Sequence, residues 1–142
     1  MTAENKGDFV LDASIALAWC FEDEATPSTL ELLDTLESHV AHVPSLWGLE
    51  VSNILLGAER KQRISQAQIA QFIELMDQLN IQVDSETANR AFHETIALAH
   101  STKLTTYDAC YLELAMRLGL PLATKDQALA QAALNLGVSL TL

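Results

Sequence analysis

Four acidic residues, Asp12, Glu50, Asp108 and Asp126, stand where an α/β fold would expose them along one edge of its sheet. Asp12 ends the apolar run Phe9-Val10-Leu11, and Asp108 opens the helix expected after Leu104-Thr105-Thr106. Asp126 follows the short run Leu120-Pro121-Leu122-Ala123-Thr124, while Glu50 lies inside an apolar helical segment over 46–58. In a parallel sheet the carboxyl ends of the strands share one edge, and open sheets place their sites there. Carboxylates gathered at close range resist joint ionisation unless cations neutralise them. The chemistry expected of the set is therefore divalent-metal chemistry, and with it hydrolysis. A donor set made only of oxygen suits Mg²⁺ or Mn²⁺ better than zinc. In two-metal sites such ions sit about 3.5–4 Å apart and clamp the attacking and leaving oxygens of a phosphoryl centre. Phosphodiester hydrolysis is the reaction these residues support without a nucleophilic side chain.

Each acid also has a structural explanation to be weighed. Asp12 at a strand-to-helix junction is a natural helix N-cap. Thr105-x-x-Asp108 has the spacing of a capping box. Asp126 falls in the first turn of a helix that Thr124 could cap, where the helix dipole favours an anion. Glu50 is harder to explain that way. It is expected more than one turn inside its helix, on a face shared with Leu46, Asn53, Ile54 and Gly57 and without Lys or Arg within a turn. A carboxylate there costs several kcal/mol of desolvation unless something compensates it, and a metal is the economical compensation. Glu113 serves as the contrast, four residues before Arg117 on the polar side of its helix, and reads as an ordinary surface ion pair.

The elements that must position these acids alternate. Strands are expected over 9–11, 40–43, 81–83, 122–124 and 138–140. Helices are expected over 13–20, 27–37, 46–62, 66–79, 85–100, 106–118 and 127–136, with Ser45 and Ser65 as N-caps and Gly119 closing the helix before it. Alternation of this kind implies a parallel sheet between layers of helices, a three-layer α/β/α sandwich, with no internal repeat.

At 142 residues the chain is read as one domain over 1–142, preceded by a short polar extension over 1–7. The longest early apolar run, 15–21, is too short to span a bilayer, and the polar start lacks the apolar region of a signal peptide. A cytoplasmic protein is expected. Cys20 and Cys110 sit among apolar neighbours and read as reduced, small hydrophobes; without a Cys-x-x-Cys pair a zinc or redox role is not expected. The net charge of −11 argues against a generic nucleic-acid binder, so any RNA path needs a local basic stripe. Arg60, Lys61 and Arg63 at a helix C-terminus, and Lys125 beside Asp126, are the candidates for it. The same three could merely complement the helix dipole. His93 and His100 are separated by about 10 Å along a helix axis, too far to share one ion. Trp19 and Trp47 are expected to fill the core or an interface rather than to stack on bases.

With these residues in place the chain resembles the PIN-domain ribonucleases, and among them the VapC toxins of prokaryotic toxin–antitoxin modules. The resemblance rests on Val10-Leu11-Asp12-Ala13-Ser14, Glu50-Val51-Ser52-Asn53, the run from Tyr107 to Ala115, and Leu122-Ala123-Thr124-Lys125-Asp126, which together span nearly the whole chain. It implies a PIN-like sandwich in which Asp12, Glu50, Asp108 and Asp126 form a catalytic, metal-binding quartet for Mg²⁺ or Mn²⁺. Ser14 and Thr124 match small hydroxyl positions that support such ligands, and Asn53 joins them as a supporting polar residue. It further implies an RNA substrate, a homodimer, and inhibition by a cognate VapB-like antitoxin. Two other classes remain to be weighed. A phosphoacceptor receiver domain would want paired acids after the first strand, where this chain has Asp12 alone, and it would leave Glu50 without a role. A non-catalytic PIN-like module would bind metal or a partner without turnover.

Overall fold

The computed structural model describes residues 7–142; residues 1–6, most of the polar extension expected over 1–7, lie outside the described residues. Its centre is a sheet of four short strands, β1 (Phe9–Leu11), β2 (Ala41–Val43), β3 (Ile81–Val83) and β4 (Leu122–Ala123). All pairings are parallel and the order is β3-β2-β1-β4. Parallel neighbours require crossover connections, and helices supply them. These are α1 (Ala13–Cys20), α2 (Pro27–Thr35), α3 (Trp47–Arg60), α4 (Gln66–Gln78), α5 (Thr87–Arg90), α6 (Ile96–Thr102), α7 (Thr106–Leu118) and α8 (Gln127–Asn135), with a 3₁₀ turn at Glu22–Glu24. The expected α/β architecture, a parallel sheet flanked by helices, is what forms.

Strand β1 is buried along its whole length, as an inner parallel strand covered on both faces should be. The core around it holds Phe9, Leu11, Ile15, Tyr111, Leu112, Leu114 and Leu129. Helix α7 is buried without interruption from Ala109 to Ala115, because it lies against β1 and also meets α6 and α8. Trp47 is in this core, and Trp19 packs against it while its indole N–H donates to the Thr29 carbonyl at 2.7 Å. Both tryptophans therefore fill space inside the molecule. Cys20 and Cys110 are free, and burial pushes both thiols up, as inert apolar cysteines require.

The order of strands fixes where a site can form. From β1 the chain winds through β2 and β3 on one side, then crosses back to place β4 on the other side of β1. The switch point of the sheet thus lies between the carboxyl ends of β1 and β4, where open sheets bind their ligands. The register pairs Val10 with Leu122 and Leu11 with Ala123, so the next residues out, Asp12 and Thr124, face each other across that gap.

Several local expectations are corrected. Residues 138–140 contribute only an isolated bridge between Leu122 and Ser139, because this outermost segment has a neighbour on one side only. Ser45 does not cap α3; its backbone N–H donates to Thr87 Oγ1 at 2.9 Å, and Leu46 stands at the N-cap without a side-chain bond. The helix expected over 85–100 is interrupted by a π-helical turn at Ala91–Thr95, between α5 and α6. Ser65 does cap α4, in a reciprocal box with Gln68, and Gly119 ends α7 at φ 67°, a conformation that favours glycine.

Candidate metal centre at the sheet switch point

Asp12 occupies the N-cap position of α1, yet its carboxylate makes no capping bond. Its Oδ2 instead accepts from Ser14 Oγ at 2.6 Å and from Thr124 Oγ1 at 2.7 Å. Each hydroxyl has a single proton, so both are committed to the carboxylate. Their oxygens in turn accept backbone N–H groups, Ser14 from Lys125 at 2.9 Å and Thr124 from Asp126 at 3.0 Å. The 3.4 Å approach between the two hydroxyl oxygens is then proximity and not a bond. Asp12 is buried, and among the described residues nothing donates to its Oδ1. One oxygen is anchored and the other is left available.

The other acids surround it. Asp126 is the N-cap of α8, its Oδ1 accepting from the Leu129 N–H at 2.8 Å, so this acid takes the capping role expected of Thr124. Asp108 lies in the first turn of α7; its N–H is taken by Thr105 Oγ1 at 3.1 Å, but the return bond of a capping box is not made. Its carboxylate is thereby left unspent. Glu50 lies in the first turn of α3, since the helix starts at Trp47, and not deeper as expected. Its Oε1 accepts a hydrogen bond from the Tyr111 hydroxyl. Burial pushes the Glu50 carboxyl above its ordinary value, with the Asp12 and Asp108 charges adding to the rise and the Tyr111 bond opposing it. Burial raises Asp108 as well, helped by the charges of Asp126 and Asp12. Glu50 thus lies within reach of the Asp12 and Asp108 charges, and Asp108 within reach of those of Asp12 and Asp126.

This donor set suits a hard divalent cation. Among the described residues no Lys or Arg pairs with any of the four acids, so repulsion within the cluster goes uncompensated by protein charge. At the same time no three His, Cys, Asp or Glu among the described residues converge closely enough to form a ready-made chelate. Mg²⁺ does not demand one, because it keeps several waters and is commonly held through one or two carboxylates. The residues present fit such an ion with water completing its shell.

The supporting and basic residues fall differently. Ser14 and Thr124 join the cluster, whereas Asn53 is exposed on α3 in a groove with Leu49, Ile69, Ile73 and Tyr107 beside Glu50. Arg63 lies 3.8 Å over the Phe21 ring and pairs with Asp23 at 2.9 Å and Glu24 at 2.7 Å. Lys125 Nζ donates to the Glu24 carbonyl at 2.9 Å. Two of the four basic candidates are thus engaged with the 22–24 turn, while Arg60 and Lys61 are exposed and form no ion pair with the described residues.

Glu113 is not the surface residue expected. It is buried and accepts from Arg117 Nε at 2.9 Å, with Arg90 Nη1 at 3.6 Å. Arg117 also holds Asp84, at the end of β3, through two bonds of 2.8 and 3.1 Å. Spacing on the helix showed the Arg117 partner but not that Arg90 and Asp84 close over the pair. Tyr111 escaped notice for a related reason: a single phenol in an apolar run reads as core. Its spacing of three from Asp108, which puts both on one helix face, was the available signal.

A family model described as PIN domain matches residues 9–135. The crystal structure of PAE2754 from Pyrobaculum aerophilum is similar, with a TM-score of 0.67 and 22% identity over 90% of this chain and 87% of that one. At that identity the likeness concerns the fold. No curated protein matches the sequence.

Proposed function

This chain belongs to the PIN-domain family, a nuclease-type fold, and on that premise we propose that it is a Mg²⁺- or Mn²⁺-dependent endoribonuclease. One observation carries the reading: the Asp12 carboxylate sits at the switch point of the sheet, makes no capping bond to the α1 backbone, and is anchored through a single oxygen by two hydroxyls. A structural N-cap would spend that carboxylate on α1. Asp12, Glu50, Asp108 and Asp126 would hold the cation, one or two of them directly and the others through its water shell, and when bound it would activate water and offset charge on a phosphoryl oxygen. Ser14 and Thr124 orient Asp12 by donating to Oδ2. Asp126 combines its place in the cluster with the start of α8, and Asp108 is held by the first turn of α7. Arg60 and Lys61 are the exposed cations best able to meet RNA phosphates; Arg63 and Lys125 would first have to leave the 22–24 turn.

We further assign the protein to the VapC-like toxins, working as a homodimer restrained by a VapB-like antitoxin. Two exposed apolar patches support this. Leu49, Leu56, Ile73 and Tyr107 line the groove beside Glu50, where a bound segment would cover the site. Phe92, Ile96 and Met116 lie exposed on the helices around Glu113 and suit a second copy.

The test is incubation of purified protein with total cellular RNA in Mg²⁺ or Mn²⁺, beside EDTA. Discrete fragments that vanish with EDTA are expected. Metal binding with RNA left intact would favour the non-catalytic module instead. Induced expression alone should arrest growth, and normal growth would remove the toxin assignment.

A further inference from the structure

Tyr111 is fully buried, and its hydroxyl reaches out of the core to one acceptor, Glu50 Oε1. It lies three residues after Asp108 on α7, so one helix face carries an acid of the cluster and the donor that meets another. Among the described residues Glu50 accepts no other hydrogen bond. The Asp12 and Asp108 charges press on it, and a glutamate has three rotatable bonds by which to swing into water. A neutral donor is the one kind of partner that holds such a carboxylate in place without cancelling its charge. An arginine would neutralise it and compete with a cation, whereas the phenol leaves the full negative charge and a second oxygen available.

We propose that Tyr111 is a positioning residue, whose hydroxyl holds the Glu50 carboxylate toward Asp12 and Asp108 so that the cluster is arranged before a cation arrives. This rests on the reading of the cluster as a metal centre. Partners that orient metal-binding carboxylates commonly change metal affinity by about 10–100-fold when removed. Tyr111→Phe keeps the ring in the core and deletes only the donor.

The experiment is calorimetric Mn²⁺ binding to the wild type, Tyr111→Phe, Glu50→Gln and the double variant, with thermal unfolding recorded for each. The expected result is an approximately tenfold loss of Mn²⁺ affinity in Tyr111→Phe, and no further loss when the same change is made in Glu50→Gln. Unchanged affinity in Tyr111→Phe would overturn the proposal while leaving the metal centre standing. An equal loss in both backgrounds would also overturn it, since the effect would then come from packing. A wild type that binds no Mn²⁺ would remove the metal centre itself and the proposal with it.

Discussion

Thr124 Oγ1 donates to Asp12 Oδ2 at 2.7 Å, joining the ends of two neighbouring strands that lie 112 residues apart in sequence. The bond is possible because parallel register puts the residues after Leu11 and Ala123 opposite each other at the switch point of the sheet. It makes one oxygen of Asp12 a structural anchor and leaves the other to the cluster. Thr124→Val keeps the shape and removes the donor, leaving a buried carboxylate oxygen short of a partner. A loss of about 1–3 kcal/mol is expected in chemical denaturation, with RNA cleavage falling further than stability because Asp12 loses its orientation. Thr124→Ser should retain most of both. A Thr124→Val variant with wild-type cleavage would show that the bond does not set the acid.

Removing repulsion should stabilise the metal-free protein. Burial and neighbouring charges raise Asp108, so its ionised form is disfavoured in the folded state. Asp108→Asn is expected to raise the thermal midpoint in EDTA, by an amount corresponding to about 1 kcal/mol, while abolishing cleavage. A lower midpoint would mean that Asp108 is structural.

The same raised groups set a pH dependence. A carboxyl raised above its unfolded value contributes stability below that value and loses it as pH rises through the folded one. For Glu50, whose ordinary value is 4.5, and Asp108, at 3.8, the metal-free protein should gain from these two groups as pH falls from neutral toward that range. Mg²⁺ should stabilise at neutral pH and lose its effect in acid, as mass action on the folded state requires. Thermal unfolding with Mg²⁺ and with EDTA across pH measures both trends. A Mg²⁺ effect independent of pH would contradict the assignment.

Asp84 should behave in the opposite way. Burial raises its carboxyl, but the Arg117 guanidinium, together with the Glu86 N–H and the Thr87 hydroxyl, more than offsets this and holds it below its ordinary 3.8. Its contribution is present above 3.8 and lost as pH falls through the lower folded value. Asp84→Asn should therefore cost about 1 kcal/mol at neutral pH and progressively less in acid. A deficit that persists unchanged at low pH would show that the contact acts through packing and not charge.

Arg63 and its neighbours separate structure from RNA contact. Arg63→Ala removes the bonds to Asp23 and Glu24 and the stack on Phe21, so it should lower stability with little change in RNA affinity. Changing Arg60 and Lys61 together should leave stability nearly intact and make RNA binding weaker and less dependent on salt. The reverse pattern in filter binding would identify Arg63 as the phosphate contact.

Much of this was legible in the sequence, for physical reasons that also mark where it stopped. Asp12 follows a strand directly, and short parallel strands leave little freedom about which end carries it. Glu50 stood out because an acid without a cation nearby is costly, although its helix starts later than capping by Ser45 would have it. Thr87 takes the Ser45 amide, and no local pattern announces a partner 42 residues away. Glu113 was misplaced because a helical wheel reports direction but not what packs there. The last strand shrank to one bridge because pairing on one side alone does not sustain it. Tyr111 reads as core in the sequence, and only the approach of α3 to α7 brings its hydroxyl to Glu50.

The most direct measurement is the rate at which Asp12→Asn cleaves a defined single-stranded RNA in saturating Mg²⁺, beside the wild type, with thermal unfolding to show both folded. The substitution keeps an oxygen to accept from Ser14 and Thr124 and removes the charge from the centre of the cluster. The account predicts metal-dependent cleavage by the wild type and a loss of at least about a hundredfold in a variant that remains folded. Equal cleavage by the two folded proteins would contradict it.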